Sequence, residues 1–277
     1  MSTGKIATSV SLLMLVFSGG SGYDKNITSK LPNAISAMSF NVLYNSEKIN
    51  QSIDLIQQHS PDILCLRELT PEFSNQLLHR LGKLYPYQAM HPRQGTWGAG
   101  ILSKYPLRNP EYFPVKPHQL PALQIEINIQ SKSLLVSCLH LFPPVGKHLK
   151  NDSFITTLQK NKKLRLQQAE YLVGKYKRWQ GPVLLLGDMN ESRTDDAVKM
   201  FIANNYTHAC DKAVKQQCGA SFPAHLPWVP AFFEIDHILG KGVRFLSIQV
   251  IRSGGSDLYP MKASFPLETT TSVSRQQ

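Results

Sequence analysis

Val183-Leu184-Leu185-Leu186-Gly187-Asp188-Met189-Asn190 is an apolar run that stops abruptly in polar residues. Four successive aliphatic residues read as a buried strand. Gly187, Asp188 and Asn190 read as the turn that ends it. The same signature recurs along the chain. Ala37-Met38-Ser39-Phe40 ends in Asn41, Ile63-Leu64-Cys65-Leu66-Arg67 in Glu68, and Val136-Ser137-Cys138-Leu139 in His140. Asp236 and His237 sit inside the apolar stretch 233–239, and Asp257 follows Gly254-Gly255-Ser256. Loops at strand ends are where a sheet scaffold gathers polar groups. Taken singly, each has an ordinary explanation: a solvated carboxylate, a turn, a structural histidine. Asp236 differs, because a carboxylate within an apolar strand needs a partner or a cation.

Working outward, apolar runs predict strands over 34–42, 63–66, 98–102, 123–129, 133–139, 183–186, 232–239, 243–251 and 261–265. Helical spacing predicts helices over 48–59, over 71–81 after a Thr70 N-cap, and over 157–179. The last carries Lys160, Lys162, Lys163, Arg165, Lys175, Lys177 and Arg178 on its other faces, which read as solvated. Alternating strands and helices, mixed with hairpin-like runs, predict mixed sheets covered by helices in one domain, residues 30–266. The tail, 267–277, has no apolar pattern and is expected to be disordered.

Of 277 residues, 42% are hydrophobic and 18% charged, which excludes a disordered chain. No repeat or heptad pattern is present, which argues against solenoids and coiled coils. The net charge of +11 favours an anionic partner: nucleic acid, a phosphorylated molecule or an acidic membrane surface. Residues 1–22 read as a signal peptide: Lys5, an apolar core over 6–17, then small residues at 18–22. The core is shorter than the ~20 residues that span a bilayer. Export, secreted or periplasmic, is therefore expected, with an uncleaved anchor as the alternative. Cys65 and Cys138 lie in apolar runs and read as buried free thiols. Cys210 and Cys218, in a polar stretch, are expected to pair in an oxidising compartment, worth ~2.5 kcal/mol by loop closure. The aromatic and proline-rich stretch 222–233 reads as a covered loop, or alternatively as a membrane-facing one.

Seven segments in order resemble the endonuclease/exonuclease/phosphatase superfamily. They are Ser39-Phe40-Asn41-Val42, Cys65-Leu66-Arg67-Glu68, Gly100-Ile101-Leu102-Ser103-Lys104-Tyr105-Pro106-Leu107, Cys138-Leu139-His140-Leu141, Leu186-Gly187-Asp188-Met189-Asn190, Ile235-Asp236-His237-Ile238-Leu239 and Ser256-Asp257. The resemblance implies a four-layer α/β/β/α sandwich with two mixed β-sheets flanked by helices. It implies a divalent-metal-dependent phosphodiesterase, with Mg²⁺ or alternatively Mn²⁺ bound by Glu68, Asn41 and Asp257. Asp188 would orient or deprotonate the attacking water, Asn190 would position the phosphate, and His140 would contact it. Asp236 would buttress a catalytic imidazole. Asn41, His140 and Asn190 would bind substrate. Hard carboxylate and amide oxygens suit such a cation.

The chain departs from the family's pattern twice. Arg67 stands where Gln usually precedes the glutamate, and Leu258 stands where the last motif carries His. Leu has neither an acceptor nor a donor for that task. The expected function is an exported phosphodiester hydrolase acting on nucleic acid and impaired by Leu258. The alternatives are a phospholipid hydrolase and an inactive member that binds phosphorylated ligands. A monomer is expected.

Overall fold

The computed structural model describes residues 34–117, 120–130, 132–145, 152–226 and 228–266. The expected signal peptide and tail lie outside these residues. In chain order the elements are β1 (Ala34–Asn41), α1 (Ile49–His59), β2 (Ile63–Arg67), α2 (Pro71–Leu81), β3 (Tyr87–His91), β4 (Ala99–Ser103), β5 (Leu107–Val115), β6 (Leu120–Ile129) and β7 (Lys132–His140). They continue with α3 (Phe154–Tyr176), β8 (Val183–Asp188), α4 (Asp196–Ala203), β9 (Thr207–His208), α5 (Ala209–Lys212), β10 (Lys215–Gln217), β11 (Asp236–Lys241), β12 (Ser247–Val250) and β13 (Met261–Pro266).

The strands form two mixed sheets. One has the order β10-β12-β13-β1-β2-β4-β3, the other β5-β6-β7-β8-β11-β9. Alternation along each strand sorts side chains between two faces. Inward residues Ala37, Ile63, Ile101 and Ala263 of the first sheet meet Ile125, Val136, Leu184 and Ile238 of the second. The outward face of the first sheet, with Met38, Phe40, Leu64 and Leu66, packs on Ile53 and Ile56 of α1 and on Phe73 and Leu77 of α2. Leu135, Leu139, Val183 and Leu185, on the outward face of the second, pack on Ala169 and Leu172 of α3 and on Val198 and Phe201 of α4. The result is the expected α/β/β/α sandwich.

The structure changes several local expectations. Cys65 and Cys138 are not free thiols; they form a disulfide that joins β2 of one sheet to β7 of the other. Each faces inward, so the two thiols meet across the core. Cys210 and Cys218 are also bonded. Helix α3 starts at Phe154 because Ser153 caps it, its Oγ accepting from Thr156 N–H at 3.2 Å. Arg165 of α3 is buried, not solvated: its Nε donates to Glu191 at 2.8 Å. The expected covered loop is open at several of its large apolar residues: Trp228 is 93% exposed, and Phe232 and Phe233 are also exposed, while Pro223 is buried. Strand β11 consequently starts at Asp236. No helix among the described residues is long and apolar enough to cross a membrane.

Candidate active site

Strand register assembles the polar strand ends into two rows. In the second sheet, His140 is paired with Asp188 across β7 and β8, and Asp188 with Asp236 across β8 and β11. In the first, Asn41 is paired with Arg67 across β1 and β2. All five share the inward face, so both rows meet at one end of the layer between the sheets. Gly187 permits the close β7–β8 contact, since a Cβ there would lie 2.3 Å from the Leu139 carbonyl oxygen.

Asn41 joins the rows. Its Nδ2 donates to Glu68 Oε1 at 3.0 Å and to Asp188 Oδ2 at 3.2 Å. Its Oδ1 accepts from Leu43 N–H at 3.2 Å. Glu68 Oε2 accepts from Tyr44 N–H at 3.2 Å. His140 Nε2 lies 3.8 Å from Asp188 Oδ2, while its Nδ1 is buried and unpartnered. Asp188 Oδ1 accepts from Asn190 N–H at 3.0 Å, and Asn190 Nδ2 donates to the Leu141 carbonyl at 3.0 Å. Asp257 is brought in by its neighbour Ser256, whose Oγ donates to the Asn41 carbonyl at 2.6 Å. Glu68 and Asn190 have φ of 56° and 53°. Left-handed backbone at a glutamate costs ~1–3 kcal/mol and persists where the surroundings impose it.

Arg67 is the residue that sequence reasoning noted but could not place. Its Nη2 donates to Asp236 Oδ1 at 2.7 Å and its Nη1 to Ser39 Oγ at 2.8 Å. Both members of the ion pair are 1% exposed. Asp236 thus carries a guanidinium instead of an imidazole, and its Oδ2 is left unpartnered. Burial, with the charge of Asp188 beside it, pushes the Asp236 carboxyl well above the usual range; Arg67 opposes this. Burial also raises Asp257, reinforced by the charges of Glu68 and Asp188. The carboxylates of Glu68, Asp188 and Asp257 crowd one another, and a hard divalent cation fits that donor set.

His237 points to the opposite face of β11 and belongs to a different network. His208 Nδ1 accepts from Cys210 N–H at 3.1 Å, so its proton lies on Nε2, 2.9 Å from His237 Nδ1. His237 in turn donates from Nε2 to the Glu191 carbonyl at 2.6 Å. The ligand atoms of His208, Glu234 and His237 lie within 4.8 Å of one another. However, the nitrogen that His208 could offer a cation carries the proton of this chain. The cluster is a hydrogen-bonded wire between neutral rings. Burial, with Arg193 nearby, pushes His208 down to about 4; burial, with His208 nearby, pushes His237 down to about 3. Unfolded, both rings protonate near 6.5, so acid favours the unfolded chain. Stability measured by urea unfolding is expected to fall as pH drops from about 6.5 toward 4, by ~1.4 kcal/mol per pH unit for each ring. The slope is read as the difference from His208→Phe/His237→Phe, because the raised Asp236 and Asp257 carboxyls act with the opposite sign, and equal slopes in the two proteins would contradict this account of the wire.

Two sheets presenting carboxylates, amides and a histidine at one end of the sandwich define a phosphoester-hydrolase type of site. The Endonuclease/Exonuclease/phosphatase family model matches residues 38–257, and the chain belongs to that family. Its members hydrolyse phosphoester bonds. No curated protein is significantly similar in sequence. Among solved structures, an endonuclease/exonuclease/phosphatase family protein from Bacteroides thetaiotaomicron aligns with a TM-score of 0.66 at 15% identity, covering 84% of this chain and 97% of its own. The mannosyl-6-phosphatase Bt3783 of the same species aligns at 0.63 and 16%, covering 83% and 99%. D. rerio TDP2 complexed with single strand DNA product aligns at 0.66 and 16%, covering 84% and 98%. At these identities the likeness concerns the fold.

Proposed function

We propose that the chain is an exported, divalent-metal-dependent phosphodiester hydrolase of nucleic acid, slowed by Leu258. The observation that carries this reading is the Asn41 amide spanning Glu68 and Asp188 from opposite sheets, with Asp257 drawn to the same end of the core. Bound Mg²⁺, or alternatively Mn²⁺, would neutralise charge on the phosphoryl oxygens. Glu68 and Asp257 would hold it, and Asn41 would keep Glu68 and Asp188 in register. Asp188, fixed by Asn190 N–H, orients the attacking water and accepts its proton. His140 and Asn190 contact the phosphate. Asp236 holds Arg67 through Oδ1 and keeps Oδ2 unpartnered, with Leu258 in place of the imidazole it would buttress. The net charge of +11 suits a polyanion. Two disulfides support an oxidising compartment and hence export.

A phospholipid substrate is the second reading. The exposed loop 222–233 adjoins the site, since Ala224 N–H donates to the Asp257 carbonyl at 2.7 Å. The experiment is Mg²⁺-dependent cleavage of a DNA phosphodiester and of sphingomyelin vesicles, by the chain and by Glu68→Ala. DNA cleavage that is salt-sensitive, abolished by EDTA and absent from Glu68→Ala is expected. Turnover of vesicles alone, reduced by Trp228→Ala, would transfer the assignment to lipid.

A further inference from the structure

A recess opens beside Pro71, at the start of α2, outside the residues assigned above. It is an open recess of about 950 Å³ between the edge strands β3 and β5, with Met90, His91, Arg93, Trp97 and Tyr112 on its walls. His91 and Tyr112 stack across the gap, with centroids 4.4 Å apart and planes inclined by 14°. Tyr112 OH donates to the Trp97 carbonyl at 2.7 Å, and the Arg93 guanidinium lies 6.0 Å from the Tyr112 ring centre. Trp97 is 46% exposed, so much of its indole is open to a ligand.

The recess is tied to the phosphate site through the backbone. Leu69, which follows Glu68, donates its N–H to the Gly98 carbonyl at 3.2 Å and accepts from Arg93 N–H at 2.9 Å. Position 98 tolerates no side chain, because a Cβ would lie 1.9 Å from the Leu69 carbonyl oxygen. Trp97 and Arg93 are therefore held against the loop that carries Glu68.

We propose that this recess is a nucleobase-stacking subsite, in which Trp97, whose backbone carbonyl is held by Tyr112 of the His91–Tyr112 stack, receives a base next to the hydrolysed phosphate while Arg93 faces the backbone. The inference rests on the nucleic-acid reading and adds a residue-level account of how a strand is held. Flat aromatic surfaces next to a cation suit bases, whose faces stack without sequence preference. Burial, with the Arg93 charge nearby, lowers His91.

The test compares two fluorescein-labelled single-stranded oligomers by anisotropy, one with bases and one of the same length built of abasic sites. Both carry the same phosphates, so the ratio of their Kd values reports base contacts alone. The base-bearing oligomer is expected to bind ~5–150-fold tighter, the span of one stacked base. Trp97→Ala is expected to bring it down to the abasic affinity, and Trp97→Phe to retain most of the difference. Thermal melts establish that both variants are folded. If both oligomers bind and Trp97→Ala leaves the ratio unchanged, the subsite is overturned while the nucleic-acid reading stands. If Trp97→Ala instead weakens mannose 6-phosphate alone, the recess is a sugar site. If neither oligomer binds even at low salt, the nucleic-acid reading fails and this inference falls with it.

Discussion

Leu258→His is expected to raise cleavage of a DNA phosphodiester by ~10²–10⁴-fold, the span contributed by one well-placed acid–base group. Leu258 is buried, and its N–H donates to Ser256 Oγ at 3.2 Å. The next residue, Tyr259, donates its N–H to the Ser221 carbonyl, and Ser221 Oγ accepts from Asp236 N–H. Position 258 is thus held beside the start of β11, where Asp236 keeps one carboxylate oxygen unpartnered. An imidazole there could donate to that oxygen and present its other nitrogen to the phosphate, the arrangement by which a carboxylate fixes a histidine tautomer elsewhere. The measurement is kcat for the native chain, Leu258→His and Leu258→His/Glu68→Ala. A gain in the second that disappears in the third locates the deficit at one position. Equal rates for the first two would mean that Asp188 and His140 suffice.

The second large effect concerns stability. Arg67→Met is expected to destabilise the protein by ~3–5 kcal/mol, because it strands the buried Asp236 carboxylate. For a chain of this size that lowers Tm by about 6–20 °C. Replacing both partners removes the stranded charge, so Arg67→Met/Asp236→Leu is expected to recover most of the loss. The sign with pH follows from the raised Asp236 carboxyl. Where the folded chain holds a proton that the unfolded chain has lost, stability falls as pH rises. Losing Arg67 raises that carboxyl further, so the Arg67→Met deficit should widen as pH climbs above the ordinary carboxylate range. Thermal melts of the three variants between pH 4 and 8 test both points. A double variant no more stable than Arg67→Met would mean that the two charges are not coupled.

Much of this was legible locally. Asn41, Glu68, His140, Asp188, Asn190 and Asp257 each follow a strand-like run or a glycine turn, and helix α2 announces itself through Thr70 and Pro71. What escaped depends on contacts between distant segments. The edge strands β3 and β5 were missed because their residues are largely exposed and β5 contains Pro110 and Pro114. Phe232 and Phe233 look like strand residues, yet they sit on an exposed loop that apolar patterning cannot distinguish from core. The Cys65–Cys138 bond and the Arg67–Asp236 pair both cross between sheets, and nothing within a single strand specifies its partner across the core. Trp97 lacked a signal for the same reason: its neighbours come from β3 and β5.

The position of β1 has a consequence for synthesis. It lies between β2 and β13, so the strand bearing Asn41 pairs on one side with the last strand among the described residues. Asp257 arrives with that same final segment. Until it leaves the ribosome, β1 has an open flank and the carboxylate cluster is incomplete. A nascent or prematurely terminated chain would hold most of the second sheet yet lack a finished phosphate site. Assembly of the site is thereby tied to synthesis of residues 257–266.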